Sequence, residues 1–508
     1  MKYNFFKSFI AVTTGGFLLA ASGCNKLEDF GDTNINPLGV TSPITAALLT
    51  NAQFAIGGQS LIIRPALYAQ YVAETQYTDA SIYAEPKLEF GGTFSGPLQD
   101  LQVIINKNTD PATAGAASVS GSNANQIAVA KIMKTYFIWT TTDRWGDIPY
   151  KEALQGSGNF TPTFDLQADI YKAMLADLKV AVDGFDGGQE VKGDVMFLGN
   201  SAKWKKLANT LRMLISLRTS KVYPNAGQLA ATEFTAAISH SAGIIESNAD
   251  NFALPYPGGP AYQHPWYATY DGRSDYALSK TIADILANMN DNRRSAYGSP
   301  GTPFPYGLKR EQATLLPTNY AKVLSDANRA INSPVVVVSA AVSLLAKAEA
   351  IERGWISSST NGPAQVAYEA AITASFGQWN VTGAPAYITG SAANYNTGTG
   401  GGINIGANPQ NSVVGADAIT TTTLQRIALQ RYLALFPDGT QAWSEWRRTG
   451  VPNLKPTVYA TNEAAGKQIP RRYVYGTAEY SLNPSKVAEA AGRITGGDVM
   501  NGRVWWDL

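Results

Sequence analysis

Leu166, Ile170, Met174, Leu178 and Val182 recur at four-residue steps. That spacing puts them on one stripe of an α-helix. Asp165, just before the stripe, reads as its N-cap. The pattern returns in Ser201 to Val222, where Trp204, Leu207, Leu211, Leu214 and Arg218 align. Ile127 to Thr142 is apolar almost all round, which predicts a helix buried on every side. Val335 to Arg353 is a long apolar stretch that ends at Gly354, and a helical period resumes from Ala364 to Trp379. Thr420 to Phe436 reads as a further helix, ended by the turn Pro437-Asp438-Gly439. A chain with this patterning buries its apolar stripes by packing helix on helix, so the predicted class is mostly α.

The segments flanking Gly354 invite comparison with a tetratricopeptide repeat. Ala348-Glu349-Ala350, then Gly354, then Tyr368-Glu369-Ala370-Ala371-Ile372 fit two antiparallel helices with small residues at their contact. No strict period runs through the chain, so plain helical hairpins fit as well. Long irregular segments separate the helices. Residues 251–277 are rich in Pro, Gly and Tyr, residues 297–319 in Pro, and residues 380–417 in Gly, Asn and Thr. Segments of that length inside a packed domain commonly carry function.

Composition narrows the chemistry. A net charge of +1 over 508 residues gives no basic face for nucleic acid. Two histidines, His240 and His264, and the single cysteine Cys24 leave little for zinc sites or for Ser-His and Cys-His nucleophiles. No Asp-rich loop carries the ligand spacing of a Ca²⁺ site. No catalytic residue, metal or cofactor is therefore expected.

Cys24 has a different explanation. Met1 to Lys7 carries two lysines and no acid, and Phe9 to Ala21 is apolar apart from Thr13 and Thr14. Ser22-Gly23-Cys24 follows. A basic start, a short apolar run and small residues at a cut describe an export signal, and the run is too short to span a bilayer. A cysteine directly after that cut resembles the lipobox of bacterial lipoproteins, with Ala21 where Leu is usual. The resemblance implies acylation of Cys24 and a membrane anchor. The expected organisation is a signal over 1–23, a lipidated extended tether over 24–45 and one helical domain over 46–508. Lys26, Glu28 and Asp29 after the cysteine resemble a signal for export to the outer face of the outer membrane; they also fit a plain solvated tether.

Several stretches, taken in order, resemble the SusD-like (SusD/RagB) nutrient-binding outer-membrane lipoproteins. They are Asp32 to Gln53, Lys131 to Leu154, Trp204 to Arg218, Leu344 to Trp355, Trp443 to Leu454, Ile469 to Asn483 and the terminal Val504 to Leu508. ALLTNAQ near the start and GRSDYALSKTIADIL later are similar to the second SusD-like subfamily. The resemblance implies a scaffold of tetratricopeptide-like helix pairs, with the ligand site on irregular loops. It implies a SusC-like TonB-dependent β-barrel transporter as partner, and capture of an oligosaccharide or a peptide without catalysis. A surface glycoside hydrolase is the enzyme alternative and needs two carboxylates across a cleft, which no spacing singles out.

Two charged motifs read as structural. Arg144, between Asp143 and Asp147, reads as a turn held by an ion pair, with Gly146 free to take positive φ. Arg447, Arg448, Arg471 and Arg472, with Trp443, Trp446, Trp505 and Trp506, read as core packing with cation–π contacts.

The ligand site is expected on aromatic loops, because sugar C–H faces stack on rings and sugar hydroxyls need fixed polar partners. The densest stretch supplies Tyr256, Tyr262, Trp266, Tyr267, Tyr270, Asp271 and Arg273. A second supplies Tyr77, Asp79 and Tyr83, and Trp379 borders the Gly-rich segment. Each aromatic also fits the role of a loop anchor buried on the scaffold. His264, before Pro265, reads as a loop hydrogen-bonder, and Asp271, Arg273 and Asp275 as an ion cluster that shapes the loop.

Overall fold

The structure is a computed structural model that describes residues 44–400 and 422–508. The export signal, Cys24 and nearly all of the tether lie outside the described residues, as does the end of the Gly-rich segment. The first helix, α1, is Thr45–Ser60, and α2 is Ile63–Tyr68. The scaffold continues with α3 (Gln99–Thr109), α4 (Asn123–Trp145), α5 (Gln167–Asp183), α6 (Ser201–Arg218) and α7 (Leu229–Ile238). It closes with α8 (Ala340–Glu352), α9 (Ala364–Gln378), α10 (Thr423–Ala434) and α11 (Gly439–Thr449). Sequence neighbours pack as pairs: α3 on α4, α4 on α5, α5 on α6, α6 on α7, and α8 on α9. The mostly α class is observed.

Helix α4 shows why its sequence looked apolar on all sides. From Ala128 to Trp145 only Lys131 and Lys134 are not buried. Ser122 caps it by accepting the Asn125 N–H, and Gly146, at φ 93°, ends it. In α5 the stripe Ile170, Met174, Leu178, Val182 is buried, whereas Leu166 is 46% exposed. The expected cap is corrected here too. Leu166 holds the N-cap position without a side-chain bond. Asp147 Oδ1 instead accepts the Gln167 N–H at 2.8 Å. Asp165 turns away and accepts the N–H groups of Tyr150 and Lys151, each at 3.0 Å.

The stretch from Val335 is not one helix. Val335–Val338 is a strand and α8 starts only at Ala340, where Ser339 caps it through the Val342 N–H. Four consecutive β-branched residues are stiff at χ1 and favour the pleated chain. Among the described residues the strands form three two-stranded antiparallel ladders. They are β1 (Val72–Glu74) with β5 (Tyr276–Leu278), β2 (Ile148–Pro149) with β3 (Phe164–Asp165), and β4 (Phe252–Leu254) with β6 (Val335–Val338).

Arg144 makes no ion pair with its two acidic neighbours. Asp143 takes the Trp506 Nε1–H at 2.9 Å and lies 3.3 Å from Arg218, and Asp147 pairs with Arg493 at 2.6 Å. The Arg144 guanidinium lies over the Trp145 ring at 4.8 Å and donates to the Thr140 carbonyl. The other Arg/Trp motif packs as the sequence implied. Arg447 sits between Trp443 at 3.9 Å and Trp506 at 4.7 Å, and Arg471 lies over Trp446 at 5.2 Å.

Candidate functional site

Hydrogen bonds between neighbouring segments gather the candidate loops. The β1–β5 register pairs Glu74 with Tyr276, which puts the loop after β1 beside the loop before β5. Thr75 reinforces the junction: its N–H donates to Asp275 and its hydroxyl to Ser274. A third loop joins through the Leu278 N–H to Ala321 and the Tyr320 hydroxyl to Ser274. Two of the stretches predicted separately therefore belong to one assembly. Trp379 joins it from α9 through a pocket of about 330 Å³, which it lines with His264, Asn328, Asn380 and Pro437.

The predicted residues divide by burial. Tyr77, Tyr262 and Tyr267 are exposed at 53%, 43% and 40%. Tyr262 packs at a tilt against Phe54 of α1, ring centroids 4.2 Å apart, so its ring is held from behind. Arg310 lies 5.1 Å over the Tyr77 ring. Asp79, Asp271 and Arg273 are exposed as well. The expected three-member ion cluster reduces to a pair, Arg273 with Asp275 at 2.5 Å, and Asp271 stands outside it.

Four of the others are anchors. Tyr83 is fully buried and meets Tyr68 edge-on at 6.2 Å, so it has no face for a ligand. Trp266 is 2% exposed and stacks on Tyr270 at 5.8 Å. Tyr256 is also buried, and its hydroxyl reaches the space above Gly57, where a Cβ would stand 1.9 Å away. Tyr270 is half-buried; its hydroxyl accepts the Val323 N–H and donates to the Tyr276 carbonyl. Lys322 and Arg329 lie 5.1 and 5.5 Å from its ring. A loop that leaves the scaffold must bury some rings to fix the direction of the rest.

His264 is one of those fixing groups. Its Nδ1 accepts the Trp266 N–H at 3.1 Å, which starts the short helix Pro265–Thr269. Burial lowers its pKa to about 4, so the ring is neutral and works as an acceptor. The cations beside the rings, Arg310, Lys322 and Arg329, and the backing ring Phe54 were missed from sequence. Each lies at least 40 residues away along the chain from the ring it meets, and no local pattern marks it.

Glu74, at the base of the assembly, gives the region a pH dependence. Its Oε2 accepts the Ser81 N–H at 2.8 Å, yet burial lifts the carboxyl to about 7 from its ordinary 4.5. A raised carboxyl favours folding while protonated in both states, and that stability is lost as pH rises through the folded pKa. Unfolding free energy is expected to fall by roughly 3 kcal/mol between about pH 5 and pH 8 from this group. Urea titrations at both pH values check it, and Glu74→Gln should flatten that part of the slope. Asp438 and Glu479, also lifted to about 7, add to the slope in the same direction.

The arrangement suits binding more than bond cleavage. Exposed rings on fixed backing, with amides and cations nearby, recognise a flat, polar-edged ligand. Among the described residues, no group of three or more His, Asp or Glu is placed to hold a metal. Comparison with known proteins agrees with this architecture. No curated protein matches the chain in sequence. A chitin-binding protein superposes with a TM-score of 0.71 at 25% identity, over 91% of this chain and 100% of that one. A chitin-binding SusD homologue from Flavobacterium johnsoniae gives 0.72 at 24% identity, over 91% and 98%. A SusD homologue from Bacteroides fragilis gives 0.73 at 22% identity, over 92% and 100%. The profile of the second SusD-like family, described as starch-binding and associating with the outer membrane, matches residues 37–476. Family and fold agree along nearly the whole described chain, and the protein belongs to the SusD-like family.

Proposed function

We propose that the protein is a surface lipoprotein, anchored through Cys24 to the outer membrane, that captures an oligosaccharide. It passes the ligand to a TonB-dependent barrel partner of the SusC type and does no chemistry on it. The observation that carries the reading is the set of exposed rings, Tyr77, Tyr262 and Tyr267, on loops that are hydrogen-bonded together. Exposed rings cost solvation unless a partner covers them, and a sugar face covers a tyrosine well. The chitin-binding relatives support a glycan over a peptide. The largest clusters of buried carboxylates are consumed by arginines, as at Glu349 and Glu445, and do not stand across a cleft as hydrolysis requires.

Calorimetric titration of residues 25–508 against chitin-derived, starch-derived and peptide ligands tests this. One glycan series is expected to bind and to be recovered intact by chromatography. Tyr77→Ala should weaken that binding about 5- to 20-fold at unchanged stability, because stacking and the Arg310 contact contribute about 1–2 kcal/mol. Binding of peptides alone moves the ligand class, and cleaved products overturn the capture role.

A further inference from the structure

Behind β6 lies a cavity of about 40 Å³, remote in chemistry from the aromatic loops. Its wall includes Tyr136 of α4, Arg218 of α6, Arg431 of α10, and Asp438, Gln441 and Glu445 at α11. Five of these side chains hold a polar atom without a hydrogen-bond partner: Tyr136 Oη, Arg218 Nε and Nη1, Arg431 Nε and Nη2, Asp438 Oδ2 and Gln441 Nε2. All five residues are less than a tenth exposed. Arg218 stands 3.3 Å from Asp143 and 3.6 Å from Glu445, but neither approach is aligned as a hydrogen bond. The Gln441 Oε1 already accepts from Arg218 at 2.7 Å, so its amide offers the cavity only a donor. Donors therefore dominate the unsatisfied groups, and leaving buried N–H groups unmatched costs about 1–3 kcal/mol each.

The charge balance points the same way. Arg218 and Arg431 line the cavity, and Arg144, Arg447 and Arg448 are buried on α4 and α11, which contribute to its wall, against the carboxylates Asp143, Glu349, Glu445 and Asp438. Five guanidinium groups face four carboxylates. Asp507, also buried near Arg447, is matched by Arg471 and Lys221. Among the described residues neither Arg144 nor Arg447 has a carboxylate within ion-pair distance, and burial lowers their pKa values to about 10 and about 9. A buried surplus of positive charge needs a counter-charge. The N-terminus of α11 opens beside the same cavity and adds a favourable dipole. The void has room for only a few water-sized groups, so it suits a compact occupant such as a halide.

We propose that this cavity is a binding site for one small monovalent anion of halide size, held by Arg218, Arg431 and Gln441. Asp438 couples the site to protons. Its Oδ1 caps α11 through the Gln441 N–H at 3.0 Å and its Oδ2 is free. Burial lifts its carboxyl to about 7, against the pull of the Gln441 and Thr440 N–H groups and of Arg218 and Arg144. Tyr136 and Tyr71 face it as neutral phenols, and Arg431 and Glu445 complete the charged surround. Protonation turns Oδ2 into a further donor, so the anion binds more tightly as pH falls through about 7.

The test uses sodium bromide against sodium gluconate at equal concentration. Crystals grown in bromide are expected to show one anomalous peak within contact of Arg431 and Gln441. In solution, bromide should raise the melting midpoint by roughly 1–3 °C over gluconate at about pH 6, and by less at about pH 8. Gln441→Leu should fold, keep its gluconate midpoint to within a few degrees and lose the bromide increment. A cavity that refines as ordered water in bromide at about pH 6, with equal midpoints in the two salts, overturns the proposal.

Discussion

Glu349→Gln is expected to lower the unfolding free energy by about 3–5 kcal/mol. Glu349 lies on α8 at 2% exposure. Its two oxygens accept from Arg448 at 2.7 and 2.7 Å, from Arg431 at 2.7 Å and from Arg353 at 2.8 Å. Glu445 shares the same arginines at 3.0 and 3.1 Å. Burial opposes the Glu349 charge, but Arg448, Arg431 and Arg353 outweigh it and hold its carboxyl well below the usual 4.5. The amide cannot neutralise them, so two fully buried guanidinium groups are left with one carboxylate. Because the folded pKa is depressed, the stability is present above about 4.5 and lost as pH falls below it. Urea unfolding at neutral pH measures the loss. A change below about 1 kcal/mol would mean that the cluster is already balanced by another charge.

Trp266→Ala and Tyr267→Ala are expected to fail in different ways although the residues are adjacent. Trp266 is buried under its loop, stacked on Tyr270 and edge-on to Tyr276 at 6.5 Å. Its removal should cost about 3–5 kcal/mol of stability and weaken ligand binding only through a loosened loop. Tyr267 is 40% exposed, so its removal should leave the melting midpoint within a few degrees and reduce affinity about 5- to 20-fold. Thermal unfolding and calorimetric titration of both variants separate the two effects. Equal stability losses would place Tyr267 among the anchors; an unchanged affinity would remove it from the site.

Much of the scaffold was legible because helix burial leaves a period in the sequence. The stripes of α5 and α6 and the all-round apolar α4 appear where the pattern put them. Errors arose where a period competes with backbone chemistry. Val335–Val338 is apolar enough for helix but too β-branched, and it pairs with Phe252–Leu254 across the chain. Asp165 had the right residue type for a cap, yet Asp147 arrived from the preceding turn in better geometry. Arg144 had two acids beside it, and both found other arginines.

The sequence by itself determined the helical class, the order of the family's stretches and which loops are rich in rings. These depend on residue spacing and on composition, which are properties of neighbours along the chain. Only the tertiary structure decided which rings face outward. Tyr83 and Trp266 look no different in sequence from Tyr77 and Tyr267, and burial separates them. It also decided that Arg218 of α6 and Arg431 of α10 meet at a small cavity with more unmatched donors than acceptors. Burial and charge balance are sums over residues distant in the chain, and no local pattern carries that sum.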